Sequence, residues 1–179
     1  MAFPKKTIAD EASLYDYAVG ALGRRMRSVA ELKRLLRNRV PKDEAGSILV
    51  EMVILRLKEQ KYLNDPKYAS AYSVYRRDNE RHGQRRVITD LRAKGLHPEV
   101  VQKAVKEAYS GVNEEELARD FLKRKRLKKP ADNRQAAKVF RALMRAGFTS
   151  PTTIKILKNW EVDDEVLTAL QEEETSTES

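Results

Sequence analysis

Apolar residues recur at helical spacing along nearly the whole 179-residue chain, and start or stop signals cut that pattern into pieces of 10–18 residues. Punctuation of this density selects short helices joined by tight turns. The first piece runs from about Ala12 to Arg25, with Leu14, Tyr15, Ala18, Ala21 and Leu22 on one face. Ser28-Val29-Ala30-Glu31 has the form of a capping box, opening a helix with Leu32, Leu35 and Leu36 inward. Pro41 blocks its continuation, and a third helix from Asp43 to about Gln60 carries Ile48, Leu49, Met52, Val53, Leu55 and Leu57. Asp65-Pro66 reads as N-cap plus first-turn proline. That helix holds Tyr68, Ala69, Tyr72 and Tyr75 and ends near Gly83. Gln84 to Lys94 follows, closed by Gly95, and Pro98 starts the next, through Val101, Ala104, Val105 and Ala108. Asn113 with Glu116, and Asp132 with Gln135, are further capping boxes, opening helices to about Lys129 and to Gly147. Ser150-Pro151 begins a helix to Trp160. A short turn capped by Asp163 or Asp164 then precedes an acidic, Ser/Thr-rich tail expected to be disordered.

These pieces repeat. Leu32-x2-Leu35-x4-Val40, Ile88-x2-Leu91-x4-Leu96 and Phe140-x2-Leu143-x4-Phe148 are one pattern three times, at offsets of 56 and 52 residues. Gly95 and Gly147 precede the last apolar position of the second and third copies, with Pro98 and Pro151 soon after. A three-helix unit of this size buries little alone, so neighbours should stack. The expected fold is all-α: three tandem three-helix, helix-turn-helix-like repeats in an elongated array. The expected divisions are a flexible N-terminus over 1–10, repeat units over 11–61, 62–111 and 112–161, and a short helix with a disordered acidic tail over 162–179. Leu32, Leu35, Leu91, Leu143, Gly95 and Gly147 carry that architecture.

Composition narrows the function. Charged residues make up 35% of the chain, against roughly 25% in an average globular protein. The last nine residues hold four Glu and no base, so the net +9 becomes +13 over residues 1–170. A body this basic attracts polyanions or acidic protein surfaces. With no cysteine, disulfides, thiolate metal sites and cysteine nucleophiles are excluded, and a reducing cytoplasm fits. No apolar run reaches the roughly 18 residues of a membrane-spanning helix, and Met1 to Lys6 has no signal-peptide core. His82 and His97 are isolated, and neither a nucleophile elbow nor a Gly-x4-Gly-Lys-Ser/Thr loop occurs. No cofactor and no catalytic role are expected.

The cations fall into three sets: Arg24, Arg25, Arg27, Lys33, Arg34 and Arg37; Arg76, Arg77, Arg81, Arg85, Arg86, Arg92 and Lys94; and the run Lys123-Arg124-Lys125-Arg126-Leu127-Lys128-Lys129. Six cations in seven residues cannot share one helix face, so their repulsion persists unless an anion neutralises it. The alternative is a solvated helix end stabilised by the macrodipole. Gln84, Arg85 and Gln135 partly suit base-reading helices, which keeps a DNA-binding protein or transcription factor as the alternative function; contact with single- or double-stranded DNA would run through phosphates. Tyr62, Tyr68, Tyr72 and Tyr75 offer rings for unpaired bases, yet Tyr68, Tyr72 and Tyr75 have the spacing of a buried stripe, and core packing is the preferred reading. Trp160 reads likewise as a core plug.

Three blocks carry a family resemblance. They are Arg25-x-Arg27-Ser28-x2-Glu31-Leu32-x2-Leu35-Leu36; Lys61-Tyr62-Leu63-Asn64-Asp65-x2-Tyr68-Ala69 with Arg76; and Gly83-x2-Arg86-x4-Leu91-x2-Lys94-Gly95-Leu96. In order and spacing they closely resemble the RecX family, regulators of the bacterial RecA recombinase, from about Leu14 to Leu157. Lys61 stands where that family usually has Gly, and Asn64 where it usually has Asp. The resemblance implies three tandem repeats in a curved molecule. It also implies a cytoplasmic, non-enzymatic protein acting in DNA repair and the SOS response. Such a protein binds the RecA nucleoprotein filament and limits filament growth, ATPase and strand exchange. A monomer is expected. The contact candidates are Arg25, Arg27, Arg76, Arg86, Lys94, Lys123, Arg124, Lys125 and Arg126.

Overall fold

The structure is a computed structural model and describes residues 7–177. Among them the chain forms ten helices and no strand: α1 (Glu11–Arg24), α2 (Val29–Arg37), α3 (Glu44–Glu59), α4 (Asp65–Asp78), α5 (Gln84–Ala93), α6 (Pro98–Ala108), α7 (Glu114–Arg124), α8 (Asn133–Arg145), α9 (Ser150–Lys158) and α10 (Asp164–Thr177). The fold is the expected all-α one. Two compact units divide it: the residues up to Ala71 with Leu91–Ala104, and Tyr72–Asp90 with the residues from Val105 onward.

In the first unit α3 packs on α1 and α2. Leu14, Ala18 and Ala21 of α1, Leu32 and Leu36 of α2, and Val50, Val53, Ile54 and Leu57 of α3 close a common core. The face of α3 differs from expectation: Ile48, Met52 and Leu55 are exposed. This helix is apolar all round, so periodicity cannot choose a side; α1 and α2 cover the Val50–Leu57 side and leave the other bare. In the second unit Phe121, Phe140, Leu143, Phe148, Ile156 and Leu157 are buried, with Phe121 and Phe148 edge to face at 5.7 Å. The aromatic stripe of α4 is buried only at its start: Tyr68 is in the core, Tyr72 is half-buried and Tyr75 is exposed. Trp160 is half-buried rather than a full plug.

Side-chain caps start most of these helices, at Ser28, Asn113 and Asp132 where the sequence places them. The Ser28 hydroxyl accepts from Glu31 N, and the Glu31 carboxylate accepts from Ser28 N, each at 3.1 Å. Asp10, Asp43, Asn113 and Asp132 cap α1, α3, α7 and α8. At α4 the cap is Asn64, whose side chain accepts from Lys67 N at 2.8 Å, rather than Asp65. The Asp65 carboxylate is directed to Val29 N, at 2.9 Å, and so caps α2 from outside it. At α9, the Glu114 carboxylate accepts from Thr149 N at 2.9 Å and from the Thr149 hydroxyl.

Two ends correct the sequence reading. Helix α7 stops at Arg124, short of Lys129: Lys125 caps it and Arg126 turns left-handed at φ 54°, which removes most of the cation run from the helix. The acidic tail, expected to be disordered, is helical through Thr177. Leu167 and Leu170 anchor α10 in the core, and Arg141 grips Glu173 with both carboxylate oxygens at 2.9 and 3.0 Å. Of the N-terminal stretch, residues 1–6 lie outside the described residues, as do 178–179 at the other end. Ile8 is not free: its N–H donates to Arg39 O at 2.6 Å and its side chain packs on the first core.

Every three-helix set closes on a left-handed residue: Lys61 (φ 62°) after α3, Gly111 (φ 71°) after α6 and Glu161 (φ 60°) after α9. Lys61 N and Tyr62 N return to Lys58 O and Leu57 O, and Glu161 N and Val162 N return to Lys158 O and Leu157 O, the paired bonds of a Schellman cap. Glycine suits such a position because it has no Cβ to crowd the following carbonyl.

The short helices interlock through glycine turns. In the first unit the Ser28 hydroxyl donates to Lys94 O at 2.7 Å, and a Cβ on Gly95 would come within 2.5 Å of the Ala30 Cβ. In the second, Gly83 N donates to Ala146 O at 2.9 Å and Arg85 N to Gly147 O at 3.3 Å. A Cβ on Gly147 would strike the Arg86 backbone. The register of the first copy thereby shifts. Ser28, Leu32 and Leu36 match Gly83, Val87 and Leu91, 55 residues on, and Leu35 is only partly buried.

Two substitutions test this account by chemical denaturation. Gly95→Ala is expected to destabilise by more than the ~1–2 kcal/mol of a left-handed L-residue, because Ala30 blocks relaxation. Lys61→Gly is expected to stabilise by up to about 1 kcal/mol, since relief of the turn outweighs the added freedom of the unfolded chain.

Candidate functional site

The cations divide into those bound internally and those left facing solvent. Arg76 belongs to the first group. Its guanidinium, with the side chain only 15% exposed, pairs with Glu80 and with Asp90 at 2.6 Å. It also stands over the Tyr72 ring, 5.5 Å from its centre. It is therefore removed from the surface contacts expected of it, because Glu80, one helical turn on, and Asp90 of α5 already satisfy it. Arg86 also reaches Asp90, at 3.0 Å, but stays half exposed. Lys94 pairs with Glu31 at 3.1 Å and bonds the Tyr68 side chain. Burial would raise the Glu31 carboxyl, yet the Ser28 N–H and the Lys94 ammonium outweigh it and hold the group below the usual carboxylate range. Arg25 is exposed, and Arg27 donates from Nε to Ala21 O at 3.5 Å.

The cation run from Lys123 to Lys129 spreads out as α7 ends. Lys123 reaches Asp120 at 3.4 Å, Lys125 stands 5.8 Å over Phe121, and Lys129 pairs with Glu161. Arg124, Arg126 and Lys128 make no ion pair among the described residues.

Two open clefts each gather several cations, some ion-paired and some facing solvent. The first, about 500 Å³ in the first unit, is lined by Arg34, Arg37 and Asn38 of the α2 end, by Lys42, and by Lys94 and Gly95, together with Glu31, the ion-pair partner of Lys94. Only Lys94 of these is a sequence candidate; Arg34 and Arg37 stand in a basic set, while Lys42, just past Pro41, gives no signal. The second, about 480 Å³ in the second unit, joins Arg86 and Lys125 with Arg145 over a floor that includes His82, Phe121 and Leu127. Arg145 lies far from both in sequence, and only folding brings it beside the α7 end. Each cleft is the kind of concave, cationic surface that accepts carboxylates or phosphates.

His82 is held neutral. Burial first, then the Arg76 and Arg86 charges, push its pKa down against the opposing pull of Glu80 and Asp90. Its Nδ1 is buried with no hydrogen-bond partner. Among the described residues no group of three or more His, Cys, Asp or Glu is arranged to hold a metal ion, and no helix is long and apolar enough to cross a membrane.

At the starts of α2 and α5 the glycine turns engage the Ser28 hydroxyl and the Gly83 and Arg85 N–H groups, and Gln135 is engaged with Asp132 as a cap, while Gln84 and Arg85 stay exposed. The chain is thus an all-α repeat protein with cationic clefts beside its turns.

Its relatives narrow that class to a family. The regulatory protein RecX of Pseudomonas putida (strain W619) is 32% identical over 148 residues, covering 82% of this chain and 90% of that protein. The chain belongs to the RecX family. The regulatory protein RecX of Bacillus subtilis (strain 168) is 34% identical over 110 residues, where the match takes in 61% of this chain and 38% of the relative. A crystal structure of a regulatory protein RecX superposes with a TM-score of 0.66 at 22% identity, over 83% of this chain and 71% of that one. RecX from Lactobacillus salivarius gives 0.65 at 18%, over 86% and 99%. Both share the fold. No protein-family model matches the chain.

Lys61, which departs from the family's usual Gly, has the left-handed backbone that a glycine takes most easily, so the departure changes the residue and keeps the turn.

Arg76→Ala is expected to cost about 2–3 kcal/mol in urea unfolding, having left two partly buried carboxylates short of a partner, whereas Arg124→Ala should stay within about 0.5 kcal/mol. Because His82 binds protons less readily when folded, stability is full above its unfolded pKa of roughly 6.5 and falls as pH drops toward the folded value. His82→Gln should flatten the stability slope between about pH 7 and 5; an unchanged slope would locate it elsewhere.

Proposed function

We propose that this protein is a non-enzymatic, cytoplasmic regulator of the RecA recombinase, with residues 11–61, 62–111 and 112–161 as its repeating modules. Family membership is the observation that carries the reading: a RecX relative matches over nine-tenths of its own length. The cationic clefts supply the chemistry, since a nucleoprotein filament presents both phosphates and protein carboxylates. Arg86, Lys94 and Lys125 act within the clefts, while Arg25, Arg27, Lys123, Arg124 and Arg126 act beside them. Arg76 supports Asp90 rather than touching the partner. Each contact is modest, and joining them in one chain raises the effective concentration of the rest. The protein works as a monomer that slows filament growth, ATPase and strand exchange.

The DNA-dependent ATPase of RecA tests this. Inhibition at amounts too low to coat the DNA supports the regulator; inhibition only when the DNA is saturated reduces it to competition. A variant with Lys123, Arg124, Lys125, Arg126, Lys128 and Lys129 neutralised is expected to need at least about tenfold more protein for the same effect, a loss of about 1.4 kcal/mol.

A further inference from the structure

Tyr62 stands 59% exposed and Met26 53% exposed in one small cleft of the first unit. Large side chains are left bare here although the core lies next in sequence: Leu63 is 3% exposed. The left-handed turn at Lys61 directs successive residues apart, Leu63 into the core and Tyr62 out of it. Arg27, Lys61 and Lys67 edge the cleft, with Asn64, and no carboxylate lines it. None of these three cations has an ion-pair partner among the described residues. The cleft measures about 130 Å³, well under the roughly 300–1,000 Å³ of a small-molecule pocket. It offers room for one planar ring.

An exposed aromatic face ringed by unpaired cations is the arrangement that holds unpaired bases: the ring stacks, and the cations take the flanking phosphates. We infer that Tyr62 and Met26 receive a nucleobase of single-stranded nucleic acid, with Arg27, Lys61 and Lys67 on the adjoining phosphates. Tyr68, at the floor, is buried and bonded to Lys94, and takes no part in stacking. An acidic peptide would use the same cations but gain little from a bare ring placed between them, so a base fits better. The inference does not depend on recombinase regulation, and its test contains no recombinase in the deciding arms.

Binding of the full chain is measured, by fluorescence anisotropy, to an oligothymidylate and to an abasic oligomer of equal length and phosphate number. The wild type is expected to prefer the oligothymidylate by at least about fivefold, the low end of base–aromatic stacking. Tyr62→Ala should abolish the preference while leaving abasic binding unchanged, and Tyr62→Phe should keep it. Arg27→Gln with Lys67→Gln should weaken both probes alike. Far-UV circular dichroism and a denaturation midpoint confirm that the exposed substitution leaves the fold intact. Equal affinity of the wild type for the two probes overturns the inference, as does a preference that survives Tyr62→Ala. If neither probe binds and Tyr62→Ala instead weakens capture by recombinase filaments, the cleft faces protein and the inference fails while the regulatory reading stands.

Discussion

The structure depends on a glycine backbone pressed against the start of a short helix. At Gly95 the neighbour is Ala30, and at Gly147 it is Arg86, in each case at a distance that no Cβ tolerates. The same glycines are left-handed, so one residue type satisfies two demands. The hydrogen bonds that accompany the contact, Ser28 hydroxyl to Lys94 O and Gly83 N to Ala146 O, use groups that helix ends would otherwise have to solvate. A three-helix set too small to own a full core gains its stability from a neighbour at this joint.

That joint also shapes the charge distribution. Gly95 lines one cationic cleft and Ala146, beside Gly147, lines the other. Within the second unit, Asp90 answers both Arg76 and Arg86, fixing the first inside and leaving the second half in solvent. Net charge therefore overstates what a partner meets. Arg76 belongs to the scaffold; Arg34, Lys42, Arg124, Arg126 and Arg145 do not.

The helices are legible in the sequence because their boundaries are written in side chains that hydrogen-bond locally: Asp10, Ser28, Asp43, Asn113 and Asp132 cap where they stand. Local pattern misleads where a tertiary partner decides. Helix α3 is apolar on all sides, so only α1 and α2 could determine that Ile48, Met52 and Leu55 stay outside. Asp65 looks like a cap and is one, but for α2. Leu35 falls out of register because the first turn, from Leu36 to Val40, is a residue shorter than its counterparts from Leu91 to Leu96 and Leu143 to Phe148. Helix α7 ends early because six cations resist one cylinder, and the tail folds because Leu167, Leu170 and the Arg141–Glu173 pair hold it. Of the site candidates, the charges can be read and the pairing cannot: Asp90 and Glu80 lie near Arg76 only once α4 and α5 are placed.

Four helix ends close on left-handed residues that are not glycine, and three of them are cations: Lys61, Arg81 and Arg126, with Glu161 the fourth. Lys61, Arg126 and Glu161 are exposed at their turns and Arg81 is partly exposed, so these charges face solution. At these turns the sequence keeps a charge where backbone geometry alone would choose none. Optimising this fold for heat resistance by glycine replacement would therefore strip charge from its surface at the same step, so durability and grip pull against each other at Lys61 and Arg126.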